Sequence, residues 1–323
     1  MKTNLEIVED CDNLPYDDPV DPSAYSRSLD SLWLFFLPDD SRPHGCLTDL
    51  FVSQIPWTSN FRLITSPRKE IHLRRNSSVE YWQSECSWAI DELLDIIRKQ
   101  KTFPKLGRKR DERFPIIGAN FDISIDRAAF SLFGIIGCGV HMTAYTRSKD
   151  GEEMKIWIPK RNPNKSTYPS LLDNAVAGGV AVGEAPFECL VREAAEETGL
   201  PEDFVRGQAL AAGTVTWFNI SDERAGGEPG LMNPGLLYVY DLEVEEDFVF
   251  RPVDEDDIES FHLMSVSEVM SAMAHGSFKP SSACVMMEFL IRHGFITAGN
   301  EKDYAEIVSR LHRRLPFPTR PQA

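Results

Sequence analysis

No two of the six cysteines, Cys11, Cys46, Cys86, Cys138, Cys189 and Cys284, form a CxxC pair. Their spacing offers neither a disulfide framework nor a zinc site, so reduced, structural thiols are expected. No apolar run approaches the length that crosses a bilayer, so no membrane partner is expected. The opening residues, MKTNLEIVEDCDNLPYDDP, are acidic and lack a long apolar stretch. They read as neither a secretory signal nor an Arg-rich transit peptide, which makes the cytosol the expected compartment. Positive charge is short as well: 34 Lys and Arg against 50 Asp and Glu leave a net charge of −16. A duplex-binding protein usually carries a basic footprint, so nucleic acid is not an expected partner. The same charge repels a free diphosphate. An enzyme acting on one would need metal cations or a local basic patch.

What is present suits two domains, given 323 residues. Residues 1–25 are polar and Pro-containing and are expected to run extended over the surface. LWLFFL (32–37) reads as a buried strand ended by Pro38. Trp82, Ile90, Leu93, Leu94 and Ile97 recur at helical spacing and predict an amphipathic helix over 81–98. A basic loop follows, with Lys105, Arg108, Lys109, Arg110 and Arg113. The texture changes near Ala128. Strands are expected at about 138–147 and 154–161, joined by an Asp150-Gly151 turn, and again at 212–220 and 236–244. A Ser265-x-x-Glu268 capping box opens a helix over 265–276; further helices are expected at 281–293 and 301–315. This order predicts an α/β fold: a smaller α+β domain over 1–128, then an α/β/α sandwich with a mixed sheet over 129–323.

The segment GGVAVGEAPFECLVREAAEETGL (178–200) carries the chemistry. Pro186 suits the first turn of a helix, and Gly199 followed by Pro201 ends it. Between them Glu193, Glu196 and Glu197 lie at i, i+3 and i+4 and share one face. Three carboxylates on one face repel unless cations sit against them, and Mg²⁺ commonly joins protein carboxylates to substrate phosphates. Arg192, one residue away, can grip a glutamate by a two-pronged bond.

Gly178, Glu184, Arg192, Glu193, Ala194, Glu196, Glu197, Gly199 and Leu200 fit G-x5-E-x7-R-E-U-x-E-E-x-G-U, where U is apolar. At every specified position this resembles the Nudix box. The resemblance implies a Nudix sandwich and a Mg²⁺- or Mn²⁺-dependent hydrolase of small-molecule diphosphates. It implies Glu196 and Glu197 as metal ligands, Glu193 as a further ligand or general base, and Glu184 and Arg192 as an orienting pair. The carbonyl of Ala177, just before the first box glycine, is a further candidate ligand. A late-loop carboxylate is sought in Asp256, Asp257 or Glu259.

Beyond the box, WIPKRNPNKSTYPSLLDNAVAGG (157–179), FKPSSACVMMEFLIRHG (278–294) and RLHRRLPFP (310–318) are similar to a fungal and plant Nudix subfamily related to the N-terminal part of thiamine pyrophosphokinases. Three positions depart from it. Ser170 stands where glycine is expected, Ser281-Ser282 replaces Asn-Cys, and a tryptophan near 107 is absent. With no kinase segment after Ala323, kinase activity is not implied. The resemblance implies hydrolysis of thiamine diphosphate and, preferentially, of oxythiamine and oxothiamine diphosphates, a form of metabolite repair. Lys160, Arg161 and Lys165 are candidates for the phosphates, Trp217 or Phe218 for stacking on a ring. The alternatives are a pyrophosphohydrolase of nucleotide derivatives such as ADP-ribose or nucleotide sugars, and a non-catalytic sensing module.

Overall fold

The computed structural model describes residues 1–16, 27–28, 30–75, 81–103, 106–107, 112–151, 153–225, 227–253 and 256–322. The chain opens on a short helix, α1 (Asn4–Glu9), with Thr3 and Glu6 forming a reciprocal capping box. Ile7, Val8, Cys11 and Leu14 are buried. The expected extended surface segment is corrected as far as Tyr16. Thr3-x-x-Glu6 is a helix-start signature, and the apolar side chains behind it have a core to enter. The rest of that expectation, from residue 17 on, lies outside the described residues.

Next come β1 (Trp33–Phe36), β2 (Pro43–Leu47), α2 (Asp49–Gln54), β3 (Phe61–Ile64) and β4 (Glu70–Leu73). They form a four-stranded sheet, β2-β1-β4-β3, in which only β1 and β4 run parallel. The predicted amphipathic helix is α3 (Trp82–Gln100), with Ile90, Leu93, Leu94 and Ile97 buried. A small hairpin follows, β5 (Arg113–Pro115) with β6 (Ser124–Asp126). Of the basic loop, Lys105, Arg108, Lys109 and Arg110 lie outside the described residues. Arg113 is committed to both Asp91 oxygens, at 2.7 and 3.0 Å. Strand β1 is buried on both faces. Trp33 and Phe35 pack with Ile90 and Leu93, while Leu34 and Phe36 pack with Val140 and Leu190.

The second half holds β7 (Gly137–Arg147), β8 (Met154–Arg161), β9 (Val176–Gly179), α4 (Pro186–Thr198), α5 (Glu202–Gln208), β10 (Leu210–Ile220), β11 (Met232–Glu243), β12 (Ile258–Ser265), α6 (Val266–Ala274), α7 (Pro280–Arg292) and α8 (Tyr304–Leu311). The terminal helix is shorter than the expected 301–315. The sheet is mixed: order β10-β11-β7-β8-β12, with β9 paired to β7 as well. The β11–β7 pairing is parallel and the others are antiparallel. Side-chain alternation along β7 and β11 divides the core between two helical layers. Val140, Met142 and Leu236 meet Leu190 and Val191 of α4 on one face. Leu237 and Val239 meet Met286 and Phe289 of α7 on the other, where Ile7 and Val8 of α1 also sit. This is the predicted α/β/α sandwich. Among the described residues no helix is long and apolar enough to cross a membrane.

Candidate active site

Helix α4 is bounded as its sequence dictates. Pro186 occupies its first turn, and Gly199 caps it in the left-handed region at φ 68°. Arg192 is the hub of its polar face. Its Nε and Nη2 donate to the two Glu184 oxygens at 2.8 and 3.1 Å. Its Nη1 donates to Glu193 at 2.9 Å and Glu196 at 3.0 Å. Burial raises the Glu184 pKa, but the Arg192 bonds outweigh it and hold that carboxyl below the usual range.

The neighbouring strand explains the box glycine. A Cβ on Gly178 would stand 2.2 Å from the Glu193 carboxyl carbon. The Glu197 carboxylate accepts the Ala177 N–H at 3.0 Å. Thus β9 presents bare backbone to the two glutamates that face inward. Burial pushes the Glu193 pKa up, and burial together with the charge of Glu193 pushes Glu197 well up.

Two half-buried carboxylates held toward protonation beside a backbone carbonyl fit a hard divalent cation by donor type, since its charge would relieve both. Glu196 is exposed and turned to Arg192. Among the described residues no three acidic, His or Cys side chains converge into a ready-made metal cluster. The donors that face inward are Glu193, Glu197 and the Ala177 backbone.

Those residues border a cavity of about 850 Å³. Asp257 and Lys165 lie on the same wall and are paired with each other. A second wall comes from the ends of β10 and β11: Trp217, Asn219, Ser221, Leu231 and Asn233. The Trp217 ring lies over Gly235, where a Cβ would come within 2.1 Å of it. Arg127, Ala128, Phe130 and Ser131 supply a third wall just before the main sheet begins, and Leu106 and Gly107 join them.

The sequence candidates for substrate contact separate accordingly. Arg161 borders the cavity, but it bonds Asp173 at 2.7 Å and the carbonyls of Thr167 and Tyr168 at 2.9 and 3.1 Å. Lys160 is not among the cavity residues and pairs with Glu259 at 2.9 Å. Phe218 is fully buried in the core on the α4 side of the sheet, whereas Trp217 reaches the cavity. Ser170 adopts φ 61° and Tyr168 φ 47°. A left-handed backbone at Ser170 is why glycine is expected there, and serine costs about 1 kcal/mol in that conformation.

The sequence reading missed a buried polar cluster on the floor. Asp173 takes Arg161, the hydroxyl of Ser282 and, at 3.6 Å, the ammonium of Lys279. Burial opposes its ionisation, but Lys279 and Arg161 keep its pKa below the carboxylate range. His141 bonds the Asn174 side-chain oxygen at 2.6 Å, and burial lowers its pKa to about 4. The only signal for this cluster was the SS step at 281–282, and its meaning lies in a partner 109 residues away.

Comparison with known proteins agrees with this geometry. Residues 140–286 match the NUDIX domain. The uncharacterized protein YJR142W of Saccharomyces cerevisiae is 34% identical over 235 residues, covering 71% of this chain and 68% of its own. Nudix hydrolase 20, chloroplastic, of Arabidopsis thaliana is 36% identical over 231 residues, covering 70% of this chain and 58% of its own. Nudix hydrolase 24, chloroplastic, from the same plant is 33% identical over 228 residues, with 69% and 58% covered. The chain thus spans less than two thirds of the length of either plant relative.

Proposed function

We propose that this chain, which belongs to the Nudix hydrolase family, is a divalent-metal-dependent phosphoanhydride hydrolase whose substrates are thiamine diphosphate and, preferentially, its oxidised forms, oxythiamine and oxothiamine diphosphate. The products are the monophosphate and phosphate. The observation that carries the hydrolase reading is that Glu193 and Glu197 border the same cavity as the Ala177 backbone. When bound, Mg²⁺ or Mn²⁺ supplies charge neutralisation at phosphate oxygens and acidifies water. Glu197 and the Ala177 carbonyl would hold the ion, and Glu193, kept against the Gly178 backbone, would hold it too or take a proton from the attacking water. Arg192 orients Glu193 and Glu196 through its fork to Glu184. Asp257 is the late-loop carboxylate, and its partner Lys165 meets the phosphates, as does Arg161 where it borders the cavity.

The choice of headgroup draws its support from the β10–β11 wall. Trp217 offers a ring to stack on, and Asn219, Asn233 and Ser221 offer neutral hydrogen-bonding groups. The described residues of that wall include no carboxylate, which suits the neutral ring of oxothiamine diphosphate; oxythiamine diphosphate keeps the thiazolium and differs from thiamine diphosphate by its pyrimidine carbonyl. The Nδ2 groups of Asn219 and Asn233 are held by the Asp10 and Leu231 carbonyls, each at 3.1 Å, so these amides are fixed in place to discriminate between ring edges. The test is phosphate release, with Mg²⁺ and with chelator, from thiamine, oxythiamine and oxothiamine diphosphates and ADP-ribose. Higher kcat/KM on the oxidised thiamine compounds is expected, and chelator should abolish turnover. Preference for ADP-ribose overturns the headgroup assignment and favours nucleotide derivatives. Absence of turnover on the whole panel points instead to a sensing module.

A further inference from the structure

The floor of the cavity carries a positive charge that its own carboxylate does not balance. Arg161 and Lys279 both flank Asp173, at 2.7 and 3.6 Å. His141 lies beside them and is bonded to the Asn174 side chain rather than to Asp173. Two half-buried cations therefore stand against one buried anion, where an uncompensated charge is unfavourable. The other carboxylate acting on Lys279 is Glu197, which borders the same cavity.

Lys279 also sits in an unusual position. It is the N-cap of α7, a helix of 13 residues, and no side chain caps that helix start. Ser, Thr, Asp or Asn is the usual choice, and a cation at the positive end of a helix is unfavourable. Pro280 and Ser281 of the first turn border the same cavity. Helix starts with free N–H groups receive anions readily.

An independent observation points the same way. Asn174 is 1% exposed and borders the cavity. Its Oδ1 faces His141 Nδ1, which donates to it at 2.6 Å. Its Nδ2 is left buried with no partner. A buried N–H group without an acceptor is costly unless a ligand supplies one.

We propose that Lys279, the first turn of α7 and the Asn174 amide form a subsite for the terminal phosphoryl group of the diphosphate, set apart from the glutamate wall. This rests on the reading of the cavity as a diphosphate hydrolase site. A terminal phosphoryl group carries roughly −1.5 to −2 charges near neutral pH and three acceptor oxygens. Those oxygens match one ammonium, one amide and the backbone N–H groups of a helix start. Lys279 acts as a specificity residue: compounds with a free terminal phosphoryl group are anchored by it, and diesters such as ADP-ribose lack the dianion it receives.

The experiment is calorimetric titration of inorganic phosphate into the metal-free full chain, wild type, Lys279→Met and Ser281→Asp. It requires no turnover, so a failure of the hydrolase assignment reads out separately in the substrate panel. The wild type should bind phosphate, and loss of one charge-assisted bond in Lys279→Met should weaken binding roughly 10-fold or more. Ser281→Asp favours the helix start while placing a carboxylate in the subsite, so it should abolish phosphate binding with an undiminished melting temperature. In steady state Lys279→Met should raise KM for diphosphate monoesters while KM for ADP-ribose stays put. No phosphate binding by the wild type, or equal binding by all three proteins, overturns the proposal.

Discussion

The Glu193 carboxylate occupies the space that a Cβ on Gly178 would take, 2.2 Å from that virtual atom. The strand and the helix of the box therefore meet through a missing side chain. Gly178→Ala should displace Glu193. A misplacement of about 1 Å commonly lowers turnover by about 10²-fold, so a fall of that size in kcat is expected with a folded protein. Circular dichroism and kcat together check it. An alanine variant with full activity would show that the position of Glu193 is unimportant.

Glu197 is the box glutamate whose protonation is favoured by burial and would be opposed by the proposed metal binding. Its carboxylate is held well toward the protonated form by burial. Glu197→Gln keeps an oxygen for the Ala177 N–H and removes the charge. Without metal the variant should melt no lower than the wild type. The rise in melting temperature that Mg²⁺ gives the wild type should be absent, and kcat should fall by about 10²-fold or more. Equal Mg²⁺ stabilisation in both proteins would remove Glu197 from the ligand set. Glu196→Gln, at an exposed position bonded to Arg192, should lower kcat without a gain in metal-free stability.

Arg192 serves three glutamates at once. Arg192→Ala should reduce turnover more than it reduces stability, because the helix retains its apolar contacts. Arg192→Lys should not restore activity, since a lysine lacks the planar fork that spans both Glu184 oxygens. Matching kinetics for the lysine variant and wild type would mean that the orienting role does not depend on the fork.

Acid should weaken the fold through His141. The unfolded chain takes up a proton near the ordinary 6.5, whereas the buried ring does so only near 4. Between these values the unfolded state binds more protons, so stability is full above about 6.5 and falls as the pH drops toward 4. The loss amounts to about 3 kcal/mol. Urea midpoints across this range measure it. His141→Gln should flatten the dependence, and an unchanged slope would assign it to other groups.

The boundaries of the fold were legible wherever the signal was local. The hairpin β7–β8, the start and stop of α4 and the cap at Ser265 depend on residues within a turn or two of one another. The same locality hid α1. Its cap, Thr3 with Glu6, is as plain as the one at Ser265, but acidity and a following proline drew the segment toward a surface reading. Phe218 and Trp217 show another limit. Adjacent strand residues face opposite sides, and only the sheet decides which one enters the core and which meets the cavity.

What the sequence by itself determined is one helix face: three glutamates and an arginine on one turn-and-a-half of helix, between Pro186 and Gly199. Helical periodicity places such neighbours together whatever the rest of the chain does. Only the tertiary structure decided which of those glutamates turn inward, that Lys165 meets Asp257, and that Lys279, Asp173 and Asn174 share the cavity floor. Those pairings join residues more than ninety positions apart, brought together by sheet order and by apolar burial that acts without regard to their chemistry.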